Sequence, residues 1–141
     1  MRINVTLKDG APLPMHAKPG DAGLDLTSRE SVIVPPHDTV MVGTGVAMEI
    51  PEGHVGLVFP RSGMASKRGI NLANCVGVID SGYRGEIMVP LHNTTTYTRR
   101  VREGERVCQI AIIPFVTCEC VEVESLSETE RGEGGFGSTG A

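Results

Sequence analysis

The chain has 141 residues, with 13 basic and 17 acidic side chains and a net charge of −4. That length suits one domain with a substantial core. The acidic balance, without a long run of one sign, argues against a general nucleic-acid binder but leaves room for a small anionic ligand held by a local cluster. The N-terminal stretch MRINVTLKDGAPLPMHAKPG lacks the apolar centre of a secretory signal. The longest apolar stretch, VCQIAIIPFV, is broken by Gln109 and Pro114 and falls far short of the roughly 18 residues of a membrane span. A soluble, cytoplasmic protein without membrane contact is expected.

Eighteen Gly and nine Pro cut the chain into short pieces. In order, RINVTL, SVIV, TVMVGTGVAMEI, HVGLVF, NCVGVI, EIMVPLHN, RVCQIAII and CECVEVE are rich in Val and Ile, and several alternate apolar with polar residues. Short strands at this spacing, with turn signals between them, predict an all-β sandwich or barrel. One stretch differs. In PRSGMASKRGI (60–70), Pro60 stops the preceding strand, Ser62 reads as an N-cap and Gly69 as the C′ residue of a helix of little more than a turn and a half. It is either an ordinary loop with a helical turn or a helix start whose free N–H groups and dipole favour an anion.

Cys75, Cys108, Cys118 and Cys120 form no C-x-x-C pair and read as buried free thiols. His16, His37, His54 and His92 lack ligand spacing. The glycine-rich end, from Arg131, cannot bury enough apolar area to fold alone. It divides the chain into a β domain, residues 1–130, and a flexible arm, residues 131–141. The arm is either a plain tail or a segment that closes over a nucleotide. Arg131, Ser138 and Thr139 suit phosphate, and Phe136 suits stacking on a flat ring.

In VGVIDSGYRGEI (76–87) two apolar runs flank Asp80-Ser81-Gly82. On turn chemistry alone Asp80 is a β-turn residue, although a tight turn does not need the Tyr and Arg that follow. Together with DAGLDL (21–26), PRSGMASKRGI (60–70), NCVGVIDSGYRGEIMV (74–89), ERVCQI (105–110) and RGEGGFGSTG (131–140), this stretch resembles the five ordered motifs of the trimeric deoxyuridine triphosphatases, the dUTPases. The resemblance spans nearly the whole chain.

It implies a jelly-roll-like β fold with one short helix, and a homotrimer with active sites at subunit contacts. The implied reaction is hydrolysis of dUTP to dUMP and pyrophosphate with Mg²⁺, which keeps uracil out of DNA and supplies dUMP for thymidylate synthesis. It makes Asp80 the base that orients and deprotonates the water attacking the α-phosphorus, a task an ionised carboxylate suits. Asn74 and the backbone near Val78, Ile79 and Met88 would read the uracil edge. Tyr83 would lie against the deoxyribose and exclude a 2′-hydroxyl. Ser62 and Gly63 would hold the inner phosphates, Arg61 would add charge, and the Gln109 amide would reach a phosphate oxygen. Arg131, Gly137 and Ser138 would clamp the γ-phosphate while Phe136 stacks on the base. Asp25 would approach the metal through water, with no direct protein ligand.

Seen outside their motifs, Tyr83 reads as a half-buried strand tyrosine, Gln109 as an edge-strand polar residue and Asp25 as a turn or capping carboxylate. Gly82 stands where many relatives carry an acid, and glycine there is compatible with positive φ. A dCTP deaminase would carry a glutamate motif in place of GVIDSGYRG. A catalytically idle nucleotide binder would not need Asp80.

Overall fold

The structure is a computed structural model that describes residues 1–8 and 10–135. Among the described residues, eleven strands and one helix follow in order: β1 (Val5–Leu7), β2 (Leu24–Thr27), β3 (Val32–Val34), β4 (Thr39–Gly43), β5 (Val46–Met48), β6 (His54–Pro60), α1 (Ser62–Arg68), β7 (Ile70–Leu72), β8 (Gly77–Ile79), β9 (Met88–Asn93), β10 (Arg99–Val101) and β11 (Arg106–Pro114). The strands pair only antiparallel. Two sheets dominate, one ordered β2-β11-β6-β8 and the other β4-β9-β7, with the pairs β1-β5 and β3-β10 beside them. The jelly-roll-like all-β architecture is as expected.

Alternation explains which face turns inward. In β9 the buried residues are Val89, Leu91 and Asn93, two apart, as the pleat requires. Val89 and Leu91 join Leu26, Val58 and Ile110 of the larger sheet, Val42 of β4, Ile70 and Leu72 of β7, and Met64 of α1 in one core cluster. Each such buried aliphatic side chain stabilises the fold by about 1.5–3 kcal/mol relative to exposure. Asn93 is buried among them because its amide donates to the carbonyls of Val34, Pro35 and Tyr97.

Several expectations change. TVMVGTGVAMEI is two strands, because Thr44-Gly45 turns the chain and Gly45 takes φ 72°. CECVEVE forms no strand: residues 115–130 pair with no strand among the described residues and are exposed along their length. A strand needs a neighbour, and the described residues offer this one none. The thiols differ accordingly. Only Cys108 is buried; Cys118 and Cys120 lie in the unpaired segment, and Cys75 sits in a turn at φ 61°.

Candidate active site

Asp25 organises one part of the site. It lies on β2 directly opposite Gln109 of β11, so both side chains leave the same face. Arg106 is three residues from Gln109 and by strict alternation would leave the other face. A register shift between Arg106 and Cys108 cancels that mismatch, pairing Arg106 with Thr27, two residues from Asp25. This is the action of a β-bulge, which re-aims a side chain by one position. It also explains why Val107 and Cys108 are both buried.

The consequence is a shared carboxylate. Arg106 Nη1 donates to Asp25 Oδ2 at 3.0 Å, and Arg61 Nε donates to Asp25 Oδ1 at 2.9 Å. The Asp25 side chain is only 15% exposed, and charge-assisted bonds to both oxygens compensate its burial. Gln109 Nε2 donates to the Pro60 carbonyl at 3.2 Å. Its other end packs over Gly23, where a Cβ would lie 2.5 Å from Gln109 Oε1. Asp25, Arg61, Ser62, Gly63 and Gln109 line one groove of about 520 Å³, with Ala17, Asp21, Ala22 and Gly23 completing it.

Two details set the groove's chemistry. The N-cap of α1 is Arg61, extended at φ −86° and ψ 133°, and no side chain caps the helix. Ser62 is therefore the first helical residue and not the expected N-cap: β6 runs to Pro60, which leaves only Arg61 to make the extended-to-helical change. No acidic residue occupies the first turn. Gly69 closes the helix in the left-handed conformation, φ 63°, as expected. Beneath the groove, burial pushes the Cys108 thiol up to about 12, the charge of Asp25 adding to the shift and Arg61 opposing it. At neutral pH it is an un-ionised thiol without nucleophilic character.

The tight reversal between β8 and β9, a hairpin in path although β8 pairs with β6 and β9 with β4 and β7, holds the second group. Tyr83 N–H donates to the Asp80 carbonyl at 3.1 Å, closing a β-turn over Ser81 and Gly82. Asp80 does bend the chain, but with its backbone; its side chain stands exposed. Gly82 does not use a positive φ, so this turn places no demand on glycine. The Tyr83 hydroxyl donates to the Glu86 carbonyl at 2.9 Å. Val78 and Tyr83 are 63% and 43% exposed, and with exposed Met88 they leave apolar surface along the hairpin. β8 is the edge of its sheet, so one side of its backbone is open to a ligand. Ile79 packs against the core, and exposed Asn74 lies in the preceding turn, its Nδ2 3.6 Å from where a Gly77 Cβ would be.

The groove and the hairpin are apart. Gln109 faces Phe59 on β6, whereas Ile79 faces Gly56 on the other side of that strand. Three residues of rise and two strand spacings separate them by about 14 Å. Arg131 is exposed and donates from Nε to its own Gly134 carbonyl at 3.0 Å. Phe136, Gly137 and Ser138 lie outside the described residues. Among the described residues no three His, Cys, Asp or Glu converge as a metal cluster, and no helix is long and apolar enough to cross a membrane.

Residues 9–140 match the dUTPase family. The chain belongs to that family. It is 47% identical to the deoxyuridine 5'-triphosphate nucleotidohydrolase of Nocardia farcinica over 135 residues, covering 95% of this chain and 82% of that one. Its fold superposes on the dUTPase of Staphylococcus bacteriophage 80alpha with dUPNHPP at a TM-score of 0.92, with 32% identity and 99% of each chain covered. A mutant dUTPase from phage phi11 of S. aureus, whose structure reveals the coordination of a structural Mg(II) ion, matches at a TM-score of 0.82, with 29% identity over 89% of this chain and 98% of that one. The dUTPase motifs pointed to Asp25, Arg61 and Gln109, which the fold gathers into one groove. They did not point to Arg106 or Asp21. The arginine stood inside ERVCQI, but only a bulge turns it toward Asp25, and alternation hides that bulge.

Proposed function

We propose that this dUTPase hydrolyses dUTP to dUMP and pyrophosphate by water attack on the α-phosphorus. The observation that carries the reading is the groove where Arg61, Ser62, Gly63 and Gln109 meet beside Asp25. It combines a guanidinium, an uncapped helix start and a side-chain amide, a donor set suited to a polyphosphate. Asp25 holds Arg61 in place, so the cation is positioned before substrate arrives. Asp80 orients the water and takes its proton as the P–O bond forms. The open edge of β8, with Val78 and Ile79, reads the uracil together with Asn74 and Met88. Cytosine would present a donor where the edge offers one, leaving buried polar groups unpaired. Tyr83 stands against the sugar where a ribonucleotide has its 2′-hydroxyl. Arg131 and the arm residues Phe136, Gly137 and Ser138 close over base and γ-phosphate, which excludes water and completes the site.

Asp25 and Asp21 are oxygen donors on the groove wall, and such a set fits Mg²⁺, which keeps several waters and is held largely by phosphates. Because both Asp25 oxygens already accept from arginines, the fit is to contact through water. When bound, the ion would neutralise charge on the triphosphate.

The chain works as a homotrimer in this reading, with groove and hairpin supplied to one site by different copies. Two features support it: the distance between the two groups, and the exposed segment 115–126, where Phe115, Val116, Val121, Val123 and Leu126 are exposed, Val116 by 90%. Surface of that kind marks a contact with another chain. The enzyme acts in the cytoplasm on free nucleotide, keeping uracil out of DNA and supplying dUMP for thymidylate synthesis.

The test is a product assay with dUTP, dTTP, dCTP and UTP in Mg²⁺, resolving monophosphate, pyrophosphate and phosphate. Release of dUMP and pyrophosphate from dUTP alone is expected. Conversion of dCTP to a uracil nucleotide, or binding of dUTP without turnover, would overturn the reading.

A further inference from the structure

The loop joining β8 to β9 carries a carboxylate that the proposed mechanism leaves unused. The Glu86 side chain is 12% exposed, and its Oε1 accepts the Gly45 N–H at 2.8 Å. Arg29 Nε and Lys8 Nζ face it at 3.5 and 3.8 Å. It fits there because Gly43 has no side chain; a Cβ at that position would collide with Glu86 Oε1. The carboxylate therefore ties the loop to the turn between β4 and β5.

Tyr83 hangs from the same residue. Its hydroxyl donates to the Glu86 carbonyl at 2.9 Å. Its ring lies so close over Gly85 that a Cβ there would strike the hydroxyl and ring carbons. Tyr83 as a whole is 43% exposed. A half-exposed tyrosine packed on one face by a glycine is held in orientation chiefly by its hydroxyl bond, and the acceptor of that bond is only as fixed as the backbone of Glu86.

We propose that Glu86 is a positioning residue for sugar selectivity, its anchored carboxylate setting where the Tyr83 ring stands against the substrate's sugar. This rests on the reading of Tyr83 as the wall that excludes a 2′-hydroxyl. Steric exclusion of one oxygen atom depends on fractions of an ångström, and a site left about 1 Å loose by its supporting residues loses selectivity before it loses its fold.

The experiment compares kcat/KM for dUTP and for UTP in the full-length protein and in Glu86→Ala, Glu86→Gln, Gly43→Ala and Tyr83→Ala, each checked for folding by circular dichroism. Glu86→Ala is expected to lower the dUTP-to-UTP ratio by about tenfold or more. Glu86→Gln keeps an oxygen for the Gly45 N–H and is expected to retain the ratio. Gly43→Ala displaces the carboxylate tip without removing it and is expected to shift the ratio as Glu86→Ala does; it decides the matter if Glu86→Ala fails to fold. A ratio unchanged in the folded alanine variants, while Tyr83→Ala shifts it, would overturn the role of Glu86. A ratio that Tyr83→Ala leaves unchanged would instead overturn the reading of Tyr83 itself.

Discussion

In the proposed reaction Asp80 would serve a turn and the chemistry without conflict. The turn uses its carbonyl, which accepts the Tyr83 N–H at 3.1 Å, and leaves the carboxylate in solvent. Asp80→Asn keeps shape and turn but removes the proton acceptor. It is expected to lower kcat by about 10²–10⁴-fold while a non-hydrolysable dUTP analogue binds as before. Wild-type turnover in this variant would strip Asp80 of its role. Cys108 supports a second expectation, this time about stability. Its thiol ordinarily titrates near 9.0 and in the fold at about 12. Below pH 9.0 folded and unfolded chains both hold the proton, so the contribution is fully present. Between about pH 9 and 12 only the unfolded chain releases it, and stability falls as pH rises. Urea midpoints of wild type and Cys108→Ala should therefore converge over that range; a constant gap would count against the shift. At this scale the motifs pointed to Asp25, Arg61 and Gln109, which share one groove, but not to Arg106, whose partner is chosen by register.

Individual elements were legible where one physical signal dominates. The runs HVGLVF and EIMVPLHN gave β6 and β9, because half-buried strands need alternation or dense Val and Ile. Gly69 marked the end of α1, since only a residue tolerant of φ 63° closes a helix in this way. β2, β7 and β10 escaped notice: they have four, three and three residues, too few for a period, and all owe their existence to the strands they pair with. The bulge in β11 is tertiary in the same sense, and the groove depends on it. Gly23 tests that dependence. A methyl group there would push Gln109 away from the Pro60 carbonyl and out of the groove wall. Gly23→Ala is expected to raise KM for dUTP about tenfold, the worth of one hydrogen bond to a charged group, with kcat little changed. Because both changes act on one contact, Gly23→Ala with Gln109→Ala should be no worse than Gln109→Ala alone. Losses that simply add would show that Gly23 acts elsewhere.

For the whole molecule, the all-β architecture followed from composition and strand spacing, but the separation of groove and hairpin within one chain did not. Arg61 and Gln109 line the groove at one end of β6, and Asp80 follows β8 toward the other. The segment 115–126 leaves Phe115, Val116, Val121, Val123 and Leu126 exposed. If assembly joins the groove of one copy to the hairpin of the next, two inactive variants can repair each other. Asp80→Asn retains an intact groove, and Arg61→Ala retains an intact hairpin. Unfolded together in equal amounts and refolded as mixed trimers, they place a sound groove beside a sound hairpin in about one site in four. The mixture should then recover about a quarter of wild-type turnover, while each variant refolded alone stays inactive. If both groups served one site from the same chain, every site would carry one lesion, and mixing would restore nothing. The recovered fraction therefore reads directly whether the catalytic centre belongs to one chain or to the assembly.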